Sequence, residues 1–149
     1  KGNTLLGKMC NIIAGDEMRH HLAYREFVHV IMDQDPNGMV LAFADMMKKK
    51  IVMPAHFLRE SGGSAGKAFE NFSICAQRLG VYTANDYIDI LRKLNDYWRI
   101  DNLRALTDDA ERARDYLMKL PSRLERIAER MSYPEDQYQF SWVTRNGAF

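Results

Sequence analysis

An unbroken helical pattern runs from Asn3 to Met32, and it constrains this chain more than any other feature. At about 100° of rotation per residue, Leu6, Cys10, Ile13, Tyr24, Val28 and Ile31 fall within about 40° of Glu17. Met9 and Phe27 lie to one side of that stripe, close to His20, while Lys8, Arg19, Glu26 and Asp33 fall on the far side. Glu17 and His20 therefore project from the middle of an apolar stripe, one turn apart. A carboxylate and an imidazole in such a place are costly unless something satisfies them. A metal ion does so, because it takes an anionic oxygen and a neutral ring nitrogen together. A mutually hydrogen-bonded core pair, with or without an arginine tied to it, does so as well.

The spacing alone is a weak signal, and the chain carries its own control. Glu26-Phe27-Val28-His29 repeats the Glu-x-x-His spacing, but Glu26 lies about 180° from Glu17 and reads as solvated surface. Two ligands on one helix are also too few for a four-helix dimetal site. Such a site takes a Glu-x-x-His from each of two helices and a single Glu from each of the other two. No other helical stretch here presents such a pair on its apolar face.

Composition narrows the class. A chain of 149 residues suffices for one domain with a sizeable core, and residues 1–149 read as a single domain fragment. A net charge of +1 argues against a general nucleic-acid binder. No apolar run approaches the ~20 residues of a membrane span. The two cysteines, Cys10 and Cys75, lie far apart in helical apolar stretches and read as buried free thiols of a reducing compartment. The chain opens in Lys1-Gly2-Asn3 without an initiator methionine, as a fragment or processed chain would.

Further helices follow in order. Asp35-Pro36-Asn37-Gly38 makes a turn, with Pro36 at the first position of a helix over 36–50. Val40, Phe43, Ala44 and Met47 mark its inner face. Lys48-Lys49-Lys50 closes it, either as a solvated helix end or as a docking patch for an acidic partner. Pro54 interrupts the next segment, where His56 is a structural hydrogen-bonder rather than a ligand. Ser61 to Gly66 is a flexible loop. A helix over 68–79 carries Phe69, Phe72, Cys75, Ala76 and Leu79 on one side, with Gly80 as its stop. Thr83 and Asp86 cap the next helix, whose inner face is Tyr87, Ile90, Leu91, Leu94 and Trp98. Thr107 caps another, in which Pro121 places a kink or break near Leu120. Arg123, Arg126 and Arg130 then follow one flank, alternating with Glu125 and Glu129 as a salt-bridged surface. Past Pro134, Phe140, Trp142 and Val143 form a short extended tail or hairpin.

Several blocks resemble the soluble acyl-acyl-carrier-protein desaturases. They are Asp16-Glu17-Met18-Arg19-His20, the run from Asp35 to Met47, Met53-Pro54-Ala55-His56, the run from Ala76 to Ala84, and Phe140-Ser141-Trp142. They occur in the family's order across nearly the whole chain. The resemblance implies an all-α fold, the C-terminal part of a ferritin-like helical bundle holding two irons. It implies O2- and ferredoxin-dependent insertion of a cis double bond into a saturated chain on acyl carrier protein. Glu17 would bridge the irons, His20 would be a terminal ligand of one of them, and Asp16 would orient a ligand histidine from another helix. Lys48, Lys49, Arg123 and Arg126 become candidate contacts for acidic acyl carrier protein. The resemblance covers only the family's C-terminal half. The other ligands, most of the substrate channel and most of the homodimer interface would come from an N-terminal half of the same protein, in the same or another chain. The implied compartment is a bacterial cytoplasm or a plastid stroma. Another ferritin-like oxidase or oxygenase, or a non-enzymatic helical partner-binding module, remains open on the residues alone.

Overall fold

The computed structural model describes residues 3–49 and 67–130, with the side chains of 67–71 excepted. Every regular element among them is helical, so the described structure is all-α. In chain order these are α1 (Thr4–Gln34), α2 (Pro36–Lys48), α3 (Lys67–Arg78), α4 (Ala84–Tyr97), a 3-10 turn (Ile100–Asn102) and α5 (Asp108–Ala128). The bend expected at Pro54, His56, the Ser61–Gly66 loop and the extended tail with Phe140, Trp142 and Val143 lie outside the described residues. The chain divides into two compact units, one of Lys1–Lys50 with Ile90–Pro121, the other of Ile51–Asp89 with Ser122–Phe149.

Local chemistry sets the helix ends of the first unit. Asn3 caps α1, its side-chain oxygen accepting from the N–H groups of Leu5 and Leu6 at 3.0 and 3.1 Å. Asp35 stops α1 and starts α2, accepting from the Gly38 N–H at 2.9 Å, with Pro36 in the first turn. A Cβ at position 38 would run into the Asp35 carboxylate, so the cap requires glycine there. The core joins Met32 of α1, Val40 and Ala44 of α2, Trp98, Ile100, and Ala110, Ala113 and Leu117 of α5. Phe43 and Met47 pack against it, as their spacing predicts. Trp98 donates its indole N–H to the Arg25 carbonyl at 3.0 Å and meets Phe43 edge-on, with centroids 5.2 Å apart. Asn37 reaches across to accept from the Thr107 N–H at 2.8 Å, tying the start of α2 to the cap of α5.

The buried positions of α4 and its end are Ile88, Leu91, Asn95 and Trp98, while Tyr87 and Ile90 are exposed. The expected inner face is therefore rotated at its N-terminal end. The polar Asn95 breaks the apolar periodicity at the centre of the true face.

Pro121 does not break its helix, since α5 runs continuously past it to Ala128. Proline lacks the N–H that would bond the carbonyl four residues back, which is that of Leu117. That carbonyl instead accepts from the Asn95 side-chain amide at 3.1 Å. Asn95 is 3% exposed and is the buried polar residue of the described structure. Its burial and the survival of α5 have one physical cause.

The second unit is governed by caps. Gly80, at φ 65°, ends α3 in a left-handed turn that an L side chain resists. Val81 N–H returns to the Ala76 carbonyl at 2.9 Å and Gly80 N–H to that of Gln77 at 3.1 Å, the double closure of a Schellman motif. Thr83 and Asp86 form a reciprocal box before α4. The Thr83 N–H and hydroxyl donate to Asp86 at 2.7 and 2.8 Å, and the Asp86 N–H donates back to the hydroxyl at 3.3 Å. These Thr83 bonds lower the Asp86 carboxyl below its ordinary range. Phe72 and Leu79, expected on an inner face, are exposed. Among the described residues, no helix is long and apolar enough to cross a membrane.

Replacing Asn95 by alanine orphans the Leu117 carbonyl and should destabilise the folded protein by about 1–3 kcal/mol. Pro121→Ala restores the missing N–H, so adding it to Asn95→Ala should recover much of that loss. Urea unfolding of the four members of this cycle reads the coupling, and strict additivity would refute the pairing.

Candidate metal centre

α1 brings Glu17 and His20 together as the spacing predicts. His20 Nδ1 lies 3.5 Å from Glu17 Oε2, and neither has another partner among the described residues. Both side chains are open, at 71% for Glu17 and 62% for His20. The stripe that carries them is open too: Leu6, Ile13, Tyr24, Phe27 and Ile31 are exposed by 47–67%. An apolar-sided helix left bare over this length is a surface built to be covered. The acid and imidazole stand at its middle, without the greasy surroundings that periodicity implies. Nor is the pair buried, as the core-pair alternative requires.

The flank of α1 that does pack runs along Arg25, Val28, His29 and Met32, roughly a quarter turn from Glu17. This is the side held by α2 and by Trp98. Cys10, expected to be buried, is exposed because it stands on the open stripe, and Cys75 is only half-buried; both are free.

Asp16 is half-exposed and ion-paired with Arg19 one turn on. Among the described residues, no three His, Cys, Asp or Glu side chains gather closely enough to hold a metal. Glu17 and His20 are thus a two-donor pair. The candidate docking cations are separated in kind. Lys49 is bonded to Asp45 at 2.5 Å, Lys48 sits 5.0 Å from the Tyr116 ring centroid, and Arg123 and Arg126 are exposed, with Arg126 donating to the Ser122 carbonyl at 3.3 Å.

The second Glu-x-x-His pair is not plain solvated surface. The Tyr97 hydroxyl donates to Glu26, the Arg25 guanidinium lies 3.9 Å over the Tyr97 ring, and His29 packs 5.7 Å from it. The bond to Tyr97 holds the Glu26 carboxyl below its ordinary value, helped by Arg25. The same bond pushes the Tyr97 phenol up. Nothing in periodicity could reveal this cluster, because its partners lie 71 residues apart.

Among the described residues, an all-helical arrangement thus presents one carboxylate–imidazole pair on an open helix face, with no third donor beside it. The comparisons are specific. The family described as fatty acid desaturase matches residues 1–144. The chain is 48% identical over 145 residues to stearoyl-[acyl-carrier-protein] 9-desaturase 2, chloroplastic, of Oryza sativa subsp. indica, covering 95% of this chain and 36% of that protein. It is 47% identical to the corresponding chloroplastic 9-desaturase of Helianthus annuus and 45% to that of Ricinus communis, with the same coverage. The chain belongs to the fatty acid desaturase family. It spans little more than a third of the length of these relatives, at 36%.

The Glu26–Tyr97 bond makes a signed prediction. Glu26, lowered from 4.5, contributes stability above that value that is lost as pH falls through its folded value. Tyr97, raised from 10.0, contributes stability below that value that is lost as pH rises through its folded value. Tyr97→Phe should therefore lower the urea midpoint near neutral pH, with the difference narrowing at both acid and alkaline extremes. A difference independent of pH would overturn this account.

Proposed function

We propose that this chain is the C-terminal part of an acyl-[acyl-carrier-protein] desaturase, a single-domain ferritin-like enzyme that forms a cis double bond in a saturated acyl chain. The observation that carries the reading is the 48% identity across 145 residues to a stearoyl-[acyl-carrier-protein] 9-desaturase. The Glu17–His20 pair at 3.5 Å is the local chemistry consistent with it.

The donor set fits iron. A carboxylate is a hard, flexible oxygen donor, and imidazole suits iron without the oxidative weakness of thiolate. Both groups are free of competing partners among the described residues and face one another across one helical turn. They supply two donors of a larger set, with the remainder contributed from outside this chain segment. Iron held there would supply the O2-dependent oxidation of two adjacent methylenes, with ferredoxin as the electron donor.

Glu17 and His20 would hold the metal, and the leucine, isoleucine and aromatic side chains around them would exclude water once the stripe is covered. The N-terminal part of the same protein, in this or another chain and more than half of the relatives' length, is the cover. Asp16, at the stripe's edge, orients a ligand histidine of that part when its contact with Arg19 yields. Lys48, Lys49, Arg123 and Arg126 meet the acidic surface of acyl carrier protein. The enzyme works as a homodimer. Its compartment is the plastid stroma, in line with the chloroplastic relatives, or the cytoplasm of a bacterium.

In the full-length protein, Glu17→Ala and His20→Ala should each abolish double-bond formation, followed by gas chromatography of the released acyl chains. Glu26→Ala should retain it, because Glu26 belongs to the Tyr97 cluster. Normal turnover by Glu17→Ala would sink the reading.

Charge reversal at Lys49 and Arg126 should raise the KM for acyl-acyl-carrier-protein at low salt, with the difference shrinking as salt rises. An unchanged KM at low salt would refute the docking assignment.

A further inference from the structure

Beyond the donor stripe, α1 keeps a second bare seam. Leu5, Ile12, Asp16, Arg19, Ala23 and Val30 lie about 100° to 160° around the helix from Glu17, on the side away from the packed flank of Arg25, Val28, His29 and Met32. Leu5, Ile12 and Val30 are exposed by 58–67%. The seam is a palindrome. Leu5 with Val30, Ile12 with Ala23, and Asp16 with Arg19 share one midpoint, between Glu17 and Met18. Each pair is complementary, apolar with apolar in two cases and anion with cation in the third. Lys8 and Glu26 border the seam at about 180° from Glu17, straddle the same midpoint to within a residue, and are opposite in charge.

A face with this symmetry is its own complement when a second copy lies against it antiparallel. An unrelated helix has no cause to match it about that one point. The charges are also available. Arg19 holds Asp16 through Oδ1, and Tyr97 and Arg25 both hold Glu26 through Oε1. That leaves Oδ2 and Oε2 to accept from an incoming cation. Lys8 has no ionic or hydrogen-bond partner among the described residues.

We infer that this seam is a two-fold interface between copies of this chain, with two α1 helices running antiparallel. Leu5 meets the partner's Val30, Ile12 meets the partner's Ala23, and Asp16 trades its own Arg19 for the partner's Arg19. The exchange leaves Asp16 an oxygen for the ligand histidine proposed above. The donor stripe lies about 130° away, so it stays free for the N-terminal part of the protein. The inference rests on the homodimer reading above and adds the surface that this chain contributes to it.

Disulfide trapping in the full-length protein tests it, with Cys10 and every other exposed cysteine changed to serine. The double variant Ile12→Cys/Ala23→Cys should oxidise to a covalent dimer on non-reducing gels. Ile12→Cys or Ala23→Cys alone should give none, because like positions stand about 16 Å apart along the two-fold pair, beyond the ~7 Å that a disulfide spans. Arg19→Asp should weaken the dimer at least about tenfold in sedimentation equilibrium at low salt, and adding Asp16→Arg should restore it by reversing both ion pairs. These positions are at least half-exposed, and an unchanged urea midpoint would establish that each variant folds. No cross-link in the double variant, a cross-link in either single one, or a wild-type dimer constant for Arg19→Asp would each overturn the seam. A dimer that lacks these signatures removes only the placement on α1 and leaves the homodimer reading standing. A protein that sediments as a monomer removes both.

Discussion

The hydrogen bond from Asn95 to the Leu117 carbonyl is the constraint on which the first unit rests. α5 runs on past Pro121 to Ala128, and Ala110, Ala113 and Leu117 reach the core from the turns that lead up to it. A proline inside a helix leaves one carbonyl without a partner and crowds it. In a dry interior that carbonyl would be expensive. Asn95 meets it at 3.1 Å from α4. The next buried position after Asn95 is Trp98, which ties the same helix end to α1 through the Arg25 carbonyl and to α2 through Phe43. Two neighbouring side chains on one face thus hold three other helices, one by satisfying a backbone defect and the other by filling space.

This arrangement occupies only one flank of α1. The core takes Met32, with Val28 beside it, while Tyr24, Phe27 and Ile31 stay bare. Helix geometry allows both uses at once, since faces a quarter turn apart can serve different neighbours. α1 is thereby fixed in place from one side and left free to present Glu17 and His20 on the other. A helix held from one side keeps the side chains of its other face accurately placed, more so than a loop would.

The cluster around Tyr97 shows how the two faces differ in chemistry. Among the described residues, Glu17 and His20 face only each other. Glu26 and His29 have the same spacing but are occupied by Tyr97 and Arg25. An engaged carboxylate with a lowered pKa is a structural element. Equal spacing in sequence has given two unlike pairs, separated by what stands opposite each.

Much of this was readable from residues alone. Asn3 to Met32 announced α1, Pro36 and Gly38 the turn into α2, Gly80 the end of α3, and Thr83 with Asp86 the start of α4, because caps and periodicity are local and act within a few residues. The Glu17–His20 pairing was legible for the same reason: one helical turn determines it. What the sequence could not settle depends on contacts between distant segments. The place of Asn95 shows only when Leu117, 22 residues away, is brought to it as its acceptor. Pro121 looked like a break for the same reason. Glu26 looked solvated until Tyr97 reached it, and Cys10 looked buried because its stripe had no visible cover to lack. Periodicity tells which residues share a face; only the tertiary structure decides what that face meets, since desolvation and hydrogen-bond satisfaction belong to the neighbour as much as to the residue.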